Sequence, residues 1–261
     1  MKITVAALIA FYFLTCAKPA SAQNKPLVYN STIYLSAQNI YGLSAQEFFD
    51  DYRQYLGGVK TELKYAWSIE TGFKMQFWKS FRIGACVSAF RGKFLDQYNT
   101  TATVGENVFK RFHKQDFEFL NTPILVTGEF IPYSSSQFRN YYGLGAGISI
   151  YEIKWKETVH SDKPFDKRAG NYKTTENGGA PTIRIFTGTE LQFDKKWYEK
   201  FFTASLMFEA EYTYAFRNVD IFKNAKKGMP EESRLKSSYS MFPGYFGIAA
   251  ILSFNFNKVD F

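Results

Sequence analysis

Gly244-Tyr245-Phe246-Gly247-Ile248-Ala249-Ala250-Ile251-Leu252-Ser253-Phe254-Asn255-Phe256 separates by parity into two sets. Phe246, Ile248, Ala250, Leu252, Phe254 and Phe256 make one face, wholly apolar and ending in two aromatics. Tyr245, Gly247, Ala249, Ile251, Ser253 and Asn255 make the other, mostly small or polar. Side chains alternate across a strand, so this stretch is a strand between two different solvents. A closed β-barrel in a membrane turns the apolar face outward to lipid. Read this way, the stretch is the strand that closes such a barrel.

The same alternation recurs upstream. Thr61–Phe77 carries Leu63, Tyr65, Trp67, Ile69, Phe73, Met75 and Phe77 on one face. Glu62, Lys64, Ala66, Ser68, Glu70, Gly72, Lys74 and Gln76 share the other. Lipid outside and a polar lumen inside match both faces. A sandwich strand, with its charges in water, would match them equally well, so this strand alone does not decide. Further strands are expected at 29–40, 81–96, 117–131, 140–154, 181–193 and 202–216. Pro123 cannot donate to a ladder, so it marks a bulge or a missing bond in the fourth. Gly143, Gly145 and Gly147 face inward and suit a crowded lumen or a bend.

Short turns at 78–80, 132–138 and 194–200 alternate with long connections at 42–58, 99–115, 159–180 and 221–238. Short turns on one side and long loops on the other are the grammar of an outer-membrane barrel. Eight strands close the sheet and place both ends on the short-turn, periplasmic side. The 29–40 strand must then pair with the 245–256 strand. The fold class is therefore all-β, a closed antiparallel eight-stranded transmembrane β-barrel with one short helix in the first long loop. That helix spans Ser44–Leu56. Ser44 and Glu47 form an S-x-x-E capping box, Ala45, Phe48, Phe49, Tyr52 and Leu56 share a stripe, and Gly57-Gly58 ends it. It is either a lid or membrane-surface anchor, or a helix packed on the barrel's own rim, the reading we prefer.

Composition agrees with these assignments. The chain has 261 residues, 28 Phe, 18 Tyr and a formal charge of +8. Lipid-facing bands and aromatic girdles account for the aromatic excess; a soluble lipocalin-like barrel would bury those residues inside instead. Residues 1–22 read as a signal peptide. Lys2 is its basic region, 3–17 its apolar core, and Ala20-Ser21-Ala22 the cleavage site. Phe13-Leu14-Thr15-Cys16 is a poor lipobox. Residues 23–261 form a single barrel domain, in which Cys86 is the one cysteine, so no intrachain disulfide forms.

Phe119-Leu120-Asn121-Thr122-Pro123-Ile124-Leu125-Val126, followed by Tyr141-Tyr142-Gly143-Leu144-Gly145-Ala146-Gly147, resembles the strand–turn–strand of porin-family outer-membrane barrel domains. Together with the leader, the loop alternation and the Phe-rich last strand, the chain from 29 to 256 is similar to the small outer-membrane barrels typified by the OmpA membrane domain. The resemblance implies a Gram-negative outer membrane, with the last strand read by the barrel-assembly machinery.

The inward charges expected are Glu62, Lys64, Glu70, Lys74, Arg82, Glu129, Arg184, Glu190, Glu209 and Glu211. An eight-stranded interior is just wide enough to be filled by side chains, so these charges must pair. An ion-paired plug is the preferred reading, and a narrow channel for ions or small solutes the alternative. The basic loop residues Lys110, Arg111, Lys167, Arg168, Lys226 and Lys227 are candidates for contact with lipopolysaccharide phosphates, and equally for a solvated surface. His113 and His160 are the only histidines. His160-Ser161-Asp162, adjacent in sequence, is not a triad. No Cys/His cluster has zinc spacing, so no cofactor or metal is expected. A structural or surface-interaction role without catalysis is the expectation. A lipid-modifying enzyme and a soluble ligand-binding barrel are weaker readings. Nucleic acid is not an expected partner despite the basic charge.

Overall fold

The computed structural model describes residues 29–257 except 44, 62, 136, 195, 197–198, 220, 222–235, 237 and 241–243. The leader, Ser44, Glu62, Lys226 and Lys227 therefore lie outside the described residues. Of Lys64, only its backbone place in a strand is described.

The elements in chain order are β1 (Ser31–Leu43), α1 (Gln46–Leu56), β2 (Leu63–Trp78), β3 (Phe81–Val104), β4 (Asn107–Ser134), β5 (Phe138–Ser161), β6 (Gly170–Gln192), β7 (Phe202–Ala215), β8 (Asn218–Val219), β9 (Tyr239–Ser240) and β10 (Gly244–Phe256). Eight of the strands form a closed antiparallel barrel in the order β1-β10-β7-β6-β5-β4-β3-β2, and β8 and β9 pair apart. Closure is made by β1 and β10, in register from Ser31↔Phe256 to Tyr41↔Phe246. Every barrel strand thus has two neighbours, which leaves no unpaired edge in the apolar phase.

The faces separate as a membrane barrel requires. Trp67 is 60% exposed, Val126 62% and Leu144 66%, all pointing outward. The apolar outer band runs from Phe81 to Ala89 on β3 and from Tyr142 to Ile150 on β5. About 9–11 residues of tilted strand cross a bilayer's hydrocarbon, which these spans match. So broad an apolar surface would be an aggregation site in water. The fold is that of a small transmembrane β-barrel.

Beyond that band the outer face changes character. Arg91 meets Glu118 at 2.6 Å, Lys93 meets Asp116 at 3.5 Å, and Lys154 meets Glu152 at 2.5 Å. Here β3 to β6 leave the bilayer and continue into water as a four-stranded extension. This corrects two expectations. The stretch 99–115 is not a polar loop; β3 and β4 pair down to Val104↔Asn107 around a turn at Gly105, whose φ is +67°. Nor is 159–180 one long loop, because β5 reaches Ser161 and β6 starts at Gly170. Outside the membrane most outward positions are charged or polar, with Leu95, Val108 and Phe112 as exceptions. The alternation therefore inverts, and the segment resembles coil.

Pro123 produces a missing bond and no bulge. Partners run from Val87↔Ile124 to Phe90↔Asn121 without a change of register, and no pair forms between. Helix α1 has Ala45 as its N-cap, with no side-chain cap; the expected capping box rests on Ser44, outside the described residues. It ends as expected at Gly57, φ +77°.

Candidate functional site

The lumen is filled by two linked layers of charge. Nearer the short turns, Glu190 of β6 takes Arg139 at 2.6 Å and Arg82 at 3.2 Å. Arg82 also reaches Glu129 at 2.6 Å, and Lys74 meets the same carboxylate at 2.6 Å. Ser205 donates to Glu190 at 2.6 Å. Rings line this layer. Arg139 lies 4.7 Å from the Tyr29 centroid, and Arg82 5.0 Å from that of Tyr141. In the next layer Arg184 pairs with Glu70 at 2.6 Å and Glu211 at 3.2 Å. The Tyr34 hydroxyl donates to Glu70 at 2.9 Å, and that of Tyr141 to Glu209 at 3.0 Å.

Glycines give this crowd its room. A Cβ on Gly143 would stand 2.1 Å from the Phe186 ring, and one on Gly188 2.3 Å from Tyr141. A rigid inward ring needs an opposite position without a side chain.

Toward the long-loop end the lumen is closed by rings. Phe48 lies 6.0 Å from Phe117, Phe49 5.7 Å from Phe94, and Tyr52 6.1 Å from Tyr98. These partners are inward positions of β3 and β4 beyond the bilayer band. Asp96 fixes the helix and the chain after it. It accepts from the Tyr52 hydroxyl at 3.0 Å and from the amides of Val59 and Lys60 at 2.9 and 3.0 Å. On the other side the Tyr239 hydroxyl donates to Asp51 at 2.6 Å. The apolar stripe of α1 is thus spent inside the mouth, on the barrel's own wall, and does not lie on a membrane.

Higher in the extension a second buried polar cluster joins β3, β4 and β5. Thr100 Oγ1 lies 2.8 Å from His113 Nε2, and Glu157 Oε1 3.4 Å from His113 Nδ1. That order is the one a nucleophile, base and orienting acid would take. Here the ring is packed flat on Tyr98, centroids 4.8 Å apart, and is only 4% exposed. Gln115 Nε2 donates to the same Glu157 oxygen at 2.6 Å, and Arg168 holds the other oxygen. Burial works to raise the Glu157 carboxyl, but the His113 hydrogen bond and the Arg168 charge hold it below its ordinary range. The cluster clasps the extension together.

The expected site residues fall as follows. Glu70, Lys74, Arg82, Glu129, Arg184, Glu190, Glu209 and Glu211 all lie in the lumen, buried. Arg139 belongs with them; an expected strand that starts at Asn140 leaves it out, although parity with Tyr141 points it inward. Glu157 is left out in the same way, beyond the point where that expected strand ends. Of the loop cations, Lys110 and Lys167 are exposed. Arg168 is a correction: it is 1% exposed and paired inward with Glu157, so it cannot meet an outside phosphate. Arg111 is committed to Asp166 through two hydrogen bonds, 2.7 and 2.8 Å.

No family model and no curated protein matches this chain. Solved structures similar to it include Neisserial surface protein A, at 9% identity over 87% of this chain and 96% of that one, TM-score 0.44. OprG from Pseudomonas aeruginosa shows 9% identity over 91% and 100%, TM-score 0.41. Ail, the attachment invasion locus protein of Yersinia pestis, shows 11% over 88% and 99%, TM-score 0.35. Likeness at this level assigns no role to the chain.

Proposed function

We propose that the chain is an outer-membrane β-barrel with both termini in the periplasm, serving a structural or surface-interaction role without catalysis and without an open pore. One observation carries this reading: buried ion pairs cross the lumen from wall to wall, and α1 packs in its mouth. Breaking such a pair leaves an uncompensated buried charge, so the plug resists opening for a solute. The outer band and the Phe-rich β10 support insertion by the barrel-assembly machinery, with the short-turn side left where the chain arrives. The charge pairs above the band on β3, β4 and β5, Arg91–Glu118, Lys93–Asp116 and Lys154–Glu152, suit a polar headgroup layer, where lipopolysaccharide would meet them.

Two measurements test this. Membrane fractionation followed by gel mobility with and without boiling should place the protein with detergent-extracted membranes and show a heat-dependent shift. Purified protein in planar bilayers should give no steady conductance. Reproducible unit conductance would transfer the assignment to a small channel, and extraction without detergent would end the membrane reading. Lipid A mass spectra should be the same with and without the protein.

A further inference from the structure

Phe165, in the connection between β5 and β6, combines two unfavourable states. It is the non-glycine residue with positive φ among the described residues, at 58°, and its side chain is 101% exposed. The left-handed region is a genuine outlier for a bulky residue, and such outliers persist only where their surroundings enforce them. The surroundings here are firm. Arg111 grips Asp166 with two hydrogen bonds of 2.7 and 2.8 Å. The Asp166 side chain accepts from the Arg168 amide at 3.1 Å, and its carbonyl from the Ala169 amide at 3.0 Å. On the other side the Lys110 amide donates to Asp162 at 2.9 Å, and the Lys163 amide to Ser161 at 3.2 Å. The loop is built to hold one ring out in water.

Lys163 and Lys167 flank that ring in sequence; Lys167 is exposed, the half-buried Lys163 stands 5.0 Å over the Phe109 ring, and the neighbouring acid, Asp166, is already neutralised by Arg111. The tip therefore offers an apolar anchor between cations. It stands well clear of the barrel's own bilayer, since β5 runs on from Glu152 to Ser161 beyond the band, on the order of 30 Å along the strand. We infer that the Phe165 tip docks onto an apposed anionic lipid surface, the ring entering the interface and Lys163 and Lys167 meeting its headgroups. The loop's own hydrogen bonds hold the backbone, and exposure of the ring is offset only when an apolar phase receives the side chain. A fluid interface accepts a lone ring, whereas a specific protein interface engages some 20–30 residues a side. Basic residues near an anionic surface add attraction that salt screens. This inference rests on the surface-interaction reading and its orientation.

The test uses the full barrel held in nanodiscs of phosphatidylcholine, floated with vesicles of phosphatidylcholine alone or with about a third phosphatidylserine. The wild type should float with the anionic vesicles and not with the neutral ones. Phe165→Ala should cut the bound fraction roughly tenfold. Lys163→Gln with Lys167→Gln should cut it by a similar factor and remove most of its salt dependence. Equal binding by Phe165→Ala, or no flotation of the wild type, overturns the inference. So does binding that appears only with natural membranes and disappears once those are trypsin-treated, which assigns the tip to a protein pocket. Labelling of Phe165→Cys on intact cells by an impermeant maleimide, with the heat shift retained, keeps the barrel reading separate. If both hold and flotation fails, only the lipid docking falls; without labelling, the proposed orientation falls first.

Discussion

Arg184 Nη2 and Glu70 Oε2 lie 2.6 Å apart, although 114 positions separate them in the chain. In the ring order β1-β10-β7-β6-β5-β4-β3-β2, their strands β6 and β2 stand diametrically opposite. One guanidinium thus spans the lumen, and it also reaches Glu211 of β7 at 3.2 Å. A ladder joins only neighbouring strands; this contact joins walls that no backbone hydrogen bond connects. Arg184→Ala would strand two carboxylates in a dry interior. We expect a loss of about 3–5 kcal/mol in reversible denaturant unfolding from lipid vesicles, with Arg184→Lys losing less. An unchanged midpoint for Arg184→Ala would mean that the cross-lumen pairs hold nothing together.

Glu209 has a different standing from its neighbours. Among the described residues it forms no ion pair; its contact is the Tyr141 hydroxyl at 3.0 Å. Glu209→Gln keeps an acceptor for that hydroxyl and removes a carboxyl that has no cation at ion-pair distance, only the more distant Lys74 and Arg184. Its stability should stay within about 1 kcal/mol of wild type or rise. Glu190→Gln, by contrast, deprives Arg82 and Arg139 of their shared anion and should cost roughly 3 kcal/mol. The same unfolding assay ranks the two, and a reversed order would refute the pairing scheme.

Two glycines on adjoining strands should respond oppositely to a methyl group. A Cβ on Gly147 would sit 2.1 Å from the Ile124 carbonyl oxygen, a backbone atom that cannot swing aside. Gly179 has nothing within 4 Å of the same position. Gly147→Ala should cost about 1–3 kcal/mol, whereas Gly179→Ala should stay within about 0.5 kcal/mol. Thermal mobility-shift curves for the two variants, run side by side, provide the check.

The sequence was informative wherever the solvent on the two faces differs in kind. From Phe81 to Ala89, or Tyr142 to Ile150, hydrocarbon outside forces every second residue to be apolar, and the parity reading places each side chain. It failed where water lies outside. Beyond Arg91 and Glu152 the outward positions turn charged while Phe94, Tyr98, Phe117 and Trp155 point inward, so the strands read as polar loops. Arg168 shows the consequence. Taken as loop, it looked like a surface cation, yet the folded extension buries it on Glu157. The helix stripe was legible from its period. Its target was not, because the rings that receive it lie on segments taken for coil. The ion pairing itself depends on which walls face each other, and parity carries no such information.

Asp166 gives the β5–β6 connection a pH limit. Arg111's hydrogen bonds lead the causes that lower its carboxyl from the ordinary 3.8 to about 2. A depressed carboxyl contributes its full stabilisation above its unfolded value, and that contribution is lost as pH falls through the folded one. The grip on the loop should therefore be complete above pH 3.8, weaken below it and vanish under about pH 2. Pepsin works in this range and favours aromatic residues such as the exposed Phe165. In wild type, cleavage at Phe165 should be slow near pH 4 and rise steeply toward pH 2. Asp166→Asn lacks the ionised partner for Arg111 at any pH, so its cleavage at the upper end should already be fast. Identical pH profiles for the two proteins, read by mass spectrometry of the fragments, would show that Asp166 does not hold the loop.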